Sequence, residues 1–115
     1  MRFVSMNERD IQCIKHINNH YQDLQEEVSL VGTLDKFKKG GIIAKAIKMD
    51  IIQIAENINC LSEETTSKLN PKDLRGIADV RNHIAHGYLR VNDEIIWFVI
   101  QDSLPKLIDE INGLK

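Results

Sequence analysis

"PKDLRGIADVRNHIAHGY", Pro71 to Tyr88, is the stretch that decides how the chain folds. Proline suits the first position of a helix, where its missing N–H is not needed. Leu74, Ile77, Val80 or Ala78, and Ile84 then return at steps of three or four, the spacing of one helical face. Gly87 closes the segment, because glycine takes the left-handed conformation that ends a helix without steric cost. The last eight residues, "RNHIAHGY", pack an arginine, an asparagine, two histidines, a glycine and a tyrosine together. No other run of that length carries so much chemistry.

The same 3.6-residue rhythm extends in both directions. Upstream, Asn7 with Asp10 three residues on forms an approximate cap. Ile11, Ile14, Ile17, Tyr21, Leu24 and Val28 then make one apolar stripe, until "VGTLD" breaks it. A second helix is expected from about Asp35 to Asn59, with Phe37, Ile43, Ile47, Ile51, Ile54 and Ile58 on its buried face. Ala44, Ala46 and Ala55 widen that face. Gly40 and Gly41 weaken its first turns by roughly 1 kcal/mol each relative to alanine, mark a close helix contact, or mark its true start. "LSEETTSKL" reads as a short helix capped by Ser62. Downstream, Asn92 or Asp93 caps a last helix with Ile95, Ile96, Val99, Ile100, Leu104, Leu107, Ile108 and Ile111 inward, and Pro105 is expected to kink it.

Only two prolines and six glycines punctuate 115 residues, and no alternating apolar run suggests a strand. The expected fold is therefore all-α: an up-and-down bundle of four main helices plus a short one, in a single domain spanning 1–115. The apolar faces of the second and last helices are broader than a monomer core needs. That breadth points to a homodimer, with a thick monomer core as the alternative.

Hydrophobic residues make up 43% and charged residues 28% of the chain, the profile of a soluble globular protein. No apolar run approaches membrane-spanning length, and "MRFVSMNERD" is too polar for a secretory signal, so the cytoplasm is the expected compartment. Cys13 and Cys60 each sit within an apolar pattern and read as small buried hydrophobes. The net charge of −2 argues against broad, non-specific binding of long nucleic acid. Any basic surface must be local, and Arg75, Arg81, Arg90 and His83 are the cations available for it.

Histidine titrates near neutrality, and arginine presents a permanent planar fork that suits phosphate oxygens. Together they can cleave RNA without a metal. The histidine takes the 2′-hydroxyl proton, the oxygen attacks its own phosphate, and the arginine stabilises charge on the phosphoryl oxygens. At about 100° per residue, Arg81 and His86 lie about 140° apart and do not share a face. Asn82 and His86, four apart, do share one, so Asn82 can orient the His86 ring. Blander readings stand beside this one. The helix dipole favours a histidine near a helix C-terminus with no function required. Arg81 can simply pair with Asp79 or Glu56, and Tyr88 can be a packed aromatic. A metal held by His83, His86 and Asp79 is disfavoured, because no acidic cluster completes the set.

Arg81, Asn82, three further positions, His86, one residue and Tyr88 together resemble the signature of the HEPN superfamily, and more narrowly of HepT-like toxins. "AIKMDIIQIAENINCLSEET" resembles that family's second helix, and "VNDEIIWFVIQDSLPKLIDEI" its last, including the tryptophan and the "LP" break. The resemblance covers the chain from about Asp35 onward. It implies a compact, dimeric, all-α bundle acting as a metal-independent ribonuclease toxin on transfer or messenger RNA, with no cofactor. A cognate minimal nucleotidyltransferase would silence it by adding AMP to the motif tyrosine. By position, Arg81 and His86 would be catalytic, Asn82 supportive and Tyr88 the modified residue, with Glu56, His83, Lys45 and Arg90 as support or RNA contacts. Lys45 stands where such proteins usually carry arginine, and Ala55 where they often carry glycine. The alternative is a non-catalytic helical dimer that serves as the binding subunit of a nucleotidyltransferase complex.

Overall fold

A computed structural model describes residues 6–86 and 92–114. Among these residues there are seven helical segments and no strand: α1 (Glu8–Val31), α2 (Leu34–Lys38), α3 (Ile42–Asn59), α4 (Glu63–Thr66), α5 (Pro71–His86), α6 (Asp93–Gln101) and α7 (Ser103–Asn112). α1, α3, α5 and the α6–α7 pair are the four arms of a helical bundle, with α2 and α4 as short connectors. α1 packs along α3, α3 against α5, and α5 against both α6 and α7.

The ends of these helices follow local chemistry. Asn7 caps α1 by accepting the Asp10 amide at 2.7 Å on its side-chain oxygen. Thr33, Ser62 and Asn92 do the same for α2, α4 and α6. Gly40 and Gly41 have φ of +79° and +99°, values side-chain-bearing residues rarely adopt, and an added Cβ at either would meet no other atom within 4 Å. Backbone conformation, not close packing, therefore requires these glycines. They split the single helix expected from Asp35 to Asn59 into α2 and α3, so the second of the three readings of the glycine pair fails and the third holds.

The last helix also divides. Its break falls at Asp102, three residues ahead of Pro105. A continuous helix would need Pro105 to donate to the Gln101 carbonyl, and the proline ring would clash with that carbonyl. With α7 starting at Ser103, Pro105 lies in a first turn, where no N–H is required.

Ile17, Leu24, Phe37, Ile47, Ile54, Ile77, Leu104 and Leu107 lie at the centre of the core. The Phe37 ring sits 5.3 Å from the Trp97 ring, and Lys48 Nζ lies over the Phe37 ring, 5.6 Å from its centroid. Lys48 also pairs with Asp93 at 3.3 Å and Lys38 with Glu94 at 3.2 Å, which ties the start of α6 to α2 and α3. Two expectations shift here: Ile11 is 50% exposed and Ile95 49%. Of the Val80 or Ala78 alternative, Val80 takes the inward place. The α1 face is rotated because Asp10, not Ile11, turns inward.

Asp10 is 1% exposed. Its carboxylate accepts the Ser62 amide at 2.9 Å, the Ser62 hydroxyl at 2.7 Å and the Thr65 hydroxyl at 2.6 Å. Burial alone would raise its pKa, but these donors outweigh burial and hold it below the ordinary carboxylate value. Further along α1, His20 meets Asp50 of α3 at 3.0 Å. Glu27 is pushed up to about 8, first by burial and then by its hydrogen bond to Asp50 and the nearby charges of Asp50, Asp23 and Glu26. Burial likewise raises the Cys13 thiol, whose neighbour is Cys60.

Candidate functional site

α5 turns Arg81 and Asn82 toward the end of α3, while His83 borders α6 and Asp73 and Asp79 face α6 and α7. Arg81 Nη2 lies 3.2 Å from Glu56 Oε2, and Arg81 Nη1 donates to Asn82 Oδ1 at 3.2 Å. The third guanidinium nitrogen, Nε, is buried and has no hydrogen-bond partner. Glu56 lies in the last turn of α3, and packing of α3 against α5 brings it to Arg81. The fork is thus held by a carboxylate and an amide, which leaves its charge and the second N–H of each terminal nitrogen uncommitted. Of the two acids named as possible partners of Arg81, the structure pairs it with Glu56.

The expected residues do not all gather. His86 is the exposed last residue of α5, five positions beyond Arg81, or about 7.5 Å along the axis. The Asn82 side-chain oxygen, expected to serve His86, accepts from Arg81. His83 is exposed and borders a small recess with Asn92 and Ile95. Lys45 is exposed on α3, eleven residues before Glu56 and so roughly 16 Å from it along the helix. It stands apart from Arg81. Tyr88 and Arg90, and Gly87 as the helix stop, lie outside the described residues. Among the described residues, no three His, Cys, Asp or Glu side chains gather as metal ligands, and no helix is long and apolar enough to cross a membrane.

One feature was not foreseen. A cleft of about 570 Å³ opens beside Arg81, between the end of α3, α4 and the first two-thirds of α5. Arg75, Arg81 and Asn82 line it from α5, Asn59 from α3 and Glu63 and Thr66 from α4. "LSEET" was legible as a capped short helix, but which wall it builds depends on how α4 docks. The Asp10 carboxylate sets that docking from 52 residues away.

The chain matches the family described as Ribonuclease HepT-like over residues 11–114. It is 32% identical over 82 residues to a protein of Methanocaldococcus jannaschii named "Putative RNase MJ0127", covering 71% of this chain and 68% of the relative. It is 26% identical over 101 residues to "Putative RNase TTE0752" of Caldanaerobacter subterraneus subsp. tengcongensis, covering 88% and 89%. No solved structure matches it. The chain belongs to the HepT-like ribonuclease family. That membership and the names of both relatives point to a ribonuclease.

Proposed function

We propose that this chain is a metal-independent endoribonuclease, the toxin of a toxin–antitoxin module. It acts as a single-domain homodimer in the cytoplasm on transfer or messenger RNA. The observation that carries this reading is the Arg81 guanidinium, fixed by Glu56 and Asn82 on the helix whose last residue is His86. In the proposed step, His86 accepts the 2′-hydroxyl proton of the RNA. The O2′–P bond forms, the P–O5′ bond breaks, and the departing 5′ oxygen takes a proton from solvent. Arg81 stabilises the charge that builds on the non-bridging oxygens, and Glu56 positions Arg81. Asn82 supports the fork, while His83, Lys45 and Arg90 extend the contact with RNA.

Silencing would come from a cognate minimal nucleotidyltransferase that adds AMP to Tyr88. Tyr88 is two residues from His86 in sequence, and an anionic adenylate there would repel an incoming phosphate. The exposed side chains of Ile95 and Phe98, three apart on α6, support the dimer, because a second copy would remove them from water.

The test is incubation of purified, unmodified protein and its His86→Ala variant with total RNA in chelator. Cleavage by the first and not the second is expected. Two folded proteins that both leave RNA intact would shift the reading to a non-catalytic binding subunit of a nucleotidyltransferase complex. Mass spectrometry of the chain after incubation with the nucleotidyltransferase and ATP is expected to place one AMP on the peptide containing Tyr88.

A further inference from the structure

The cleft beside Arg81 has features that the cleavage step does not use. Its floor is apolar: Ala55 and Ile58 from α3, Leu61 from the turn after it, and Ile77 from α5 are all buried. Its rim is polar, with Arg81, Asn82 and Thr66 hydrogen-bonded within the chain. Among the described residues, the Arg75 guanidinium and the Asn59 amide have no hydrogen-bond or ion-pair partner. Arg75, Ala78 and Arg81 all line the cleft from α5, the two arginines from flanks about 120° apart around the helix, and the small, exposed Ala78 keeps the space between them open. The arginines are separated by about 9 Å along the axis, close enough for two long side chains to reach phosphates of neighbouring nucleotides. The volume, about 570 Å³, falls within the roughly 300–1,000 Å³ of sites that hold small molecules.

We infer that this cleft seats the nucleotide next to the scissile phosphate of a single-stranded RNA, with Arg75 binding that nucleotide's phosphate and the apolar floor receiving its base. The inference rests on the ribonuclease reading and adds Arg75 and Asn59 to its substrate contacts. Charge favours one direction, with Arg81 already partly neutralised by Glu56 and Arg75 bearing no such partner among the described residues. Glu63 carries a carboxylate on the α4 side, so a phosphate is disfavoured there and favoured on the α5 side, where Arg75 and Arg81 stand. The base then lies toward Asn59 and Glu63, whose amide and carboxylate can bond its edge. His86 lies on the other side of Arg81 along α5, so the strand would run along the helix, with Arg81 at the bond to be cut and Arg75 one step away.

The test uses a short oligoribonucleotide carrying a 2′-O-methyl on every ribose, which lacks the nucleophile and cannot be cut. Its binding is followed by fluorescence anisotropy for the wild type, Arg75→Ala, Arg75→Lys, Asn59→Ala and His86→Ala, each checked for folding by thermal melting. Cleavage of the unmodified oligonucleotide is measured in parallel. Arg75→Ala is expected to weaken binding about tenfold, the scale of one charge-assisted hydrogen bond, and to raise KM more than it lowers kcat. Arg75→Lys should recover part of the loss, and Asn59→Ala should weaken binding several-fold. His86→Ala should bind as the wild type does and not cleave. Cleavage and binding that survive both Arg75→Ala and Asn59→Ala unchanged would overturn the cleft assignment and leave the ribonuclease reading standing. A wild type that binds the blocked strand through Arg75 but cuts nothing would overturn the ribonuclease reading and keep the cleft. A wild type that neither binds nor cuts would overturn both.

Discussion

At Arg81 two interactions meet in one side chain, an ion pair with Glu56 and a hydrogen bond to Asn82, beside a buried Nε without a partner. The pair is half-exposed, so its contribution to stability is small, below about 1 kcal/mol. Its value lies in orientation. Glu56→Gln is therefore expected to leave the melting temperature nearly unchanged and to lower kcat on RNA about tenfold or more, measured side by side on the same preparation. Glu27 behaves differently. Its folded-state pKa is raised to about 8 from an ordinary 4.5 by burial and by Asp50. Between those values the folded chain holds a proton that the unfolded chain has released, so stability falls as pH rises from about 4.5 to 8. Urea unfolding at pH 5.5 and pH 8 is expected to show that decline, and Glu27→Gln should flatten it. Asp10, held low, has the opposite sign: its contribution is present above pH 3.8 and is lost as pH falls further. The motif residues were legible because they are neighbours in sequence. Asp10 was not, because an acid three residues after Asn7 reads as part of a helix cap.

At the scale of elements, periodicity located the long helices well and their breaks less well. Phe37 and Ile43 keep the apolar rhythm across Gly40 and Gly41, so the rhythm conceals that the backbone changes direction there. Pro105 was visible as a disturbance, but the break falls where its missing N–H would have bonded, one turn earlier. α4 illustrates the limit most clearly. Its cap, Ser62, is local and legible, whereas its anchor, Asp10, is distant and is not. Asp10→Ala would leave the half-buried Ser62 amide and the buried Thr65 hydroxyl without their acceptor, at a cost of about 2 kcal/mol. Chemical denaturation should show that loss. Because α4 forms one wall of the cleft, the same variant is expected to bind RNA more weakly even where it remains folded.

Over the whole molecule, a net charge of −2 must be reconciled with an RNA substrate. Arg75 and Arg81 on α5 would do this locally, and cleavage that falls steeply with added salt is the expected signature. Activity unchanged at high ionic strength would contradict it. The exposed Phe98, 61% accessible, belongs to the proposed dimer face. Phe98→Glu should convert a dimer to a monomer in sedimentation while the helical signal is retained. The breadth of the apolar faces hinted at such a surface in the sequence. Which residues form it was not legible, because Ile95 and Ile96 fit the same stripe and only packing separates the exposed one from the buried one.

The Asp10 clamp also imposes an order of events on the newly made chain. It joins positions 52 residues apart, so the entropy of closing that long loop must be met before its bonds can form. A four-residue helix cannot nucleate and hold itself in water. α4 therefore settles only after α1 has docked on α3, and the Ser62 amide exchanges its hydrogen with solvent only when the start of α1 lifts away. A chain caught before that moment already carries Arg81, Asn82 and His86 on α5 but lacks the wall beside them. It is α4 that turns a helix bearing reactive groups into a walled cleft, the place where a strand would lie.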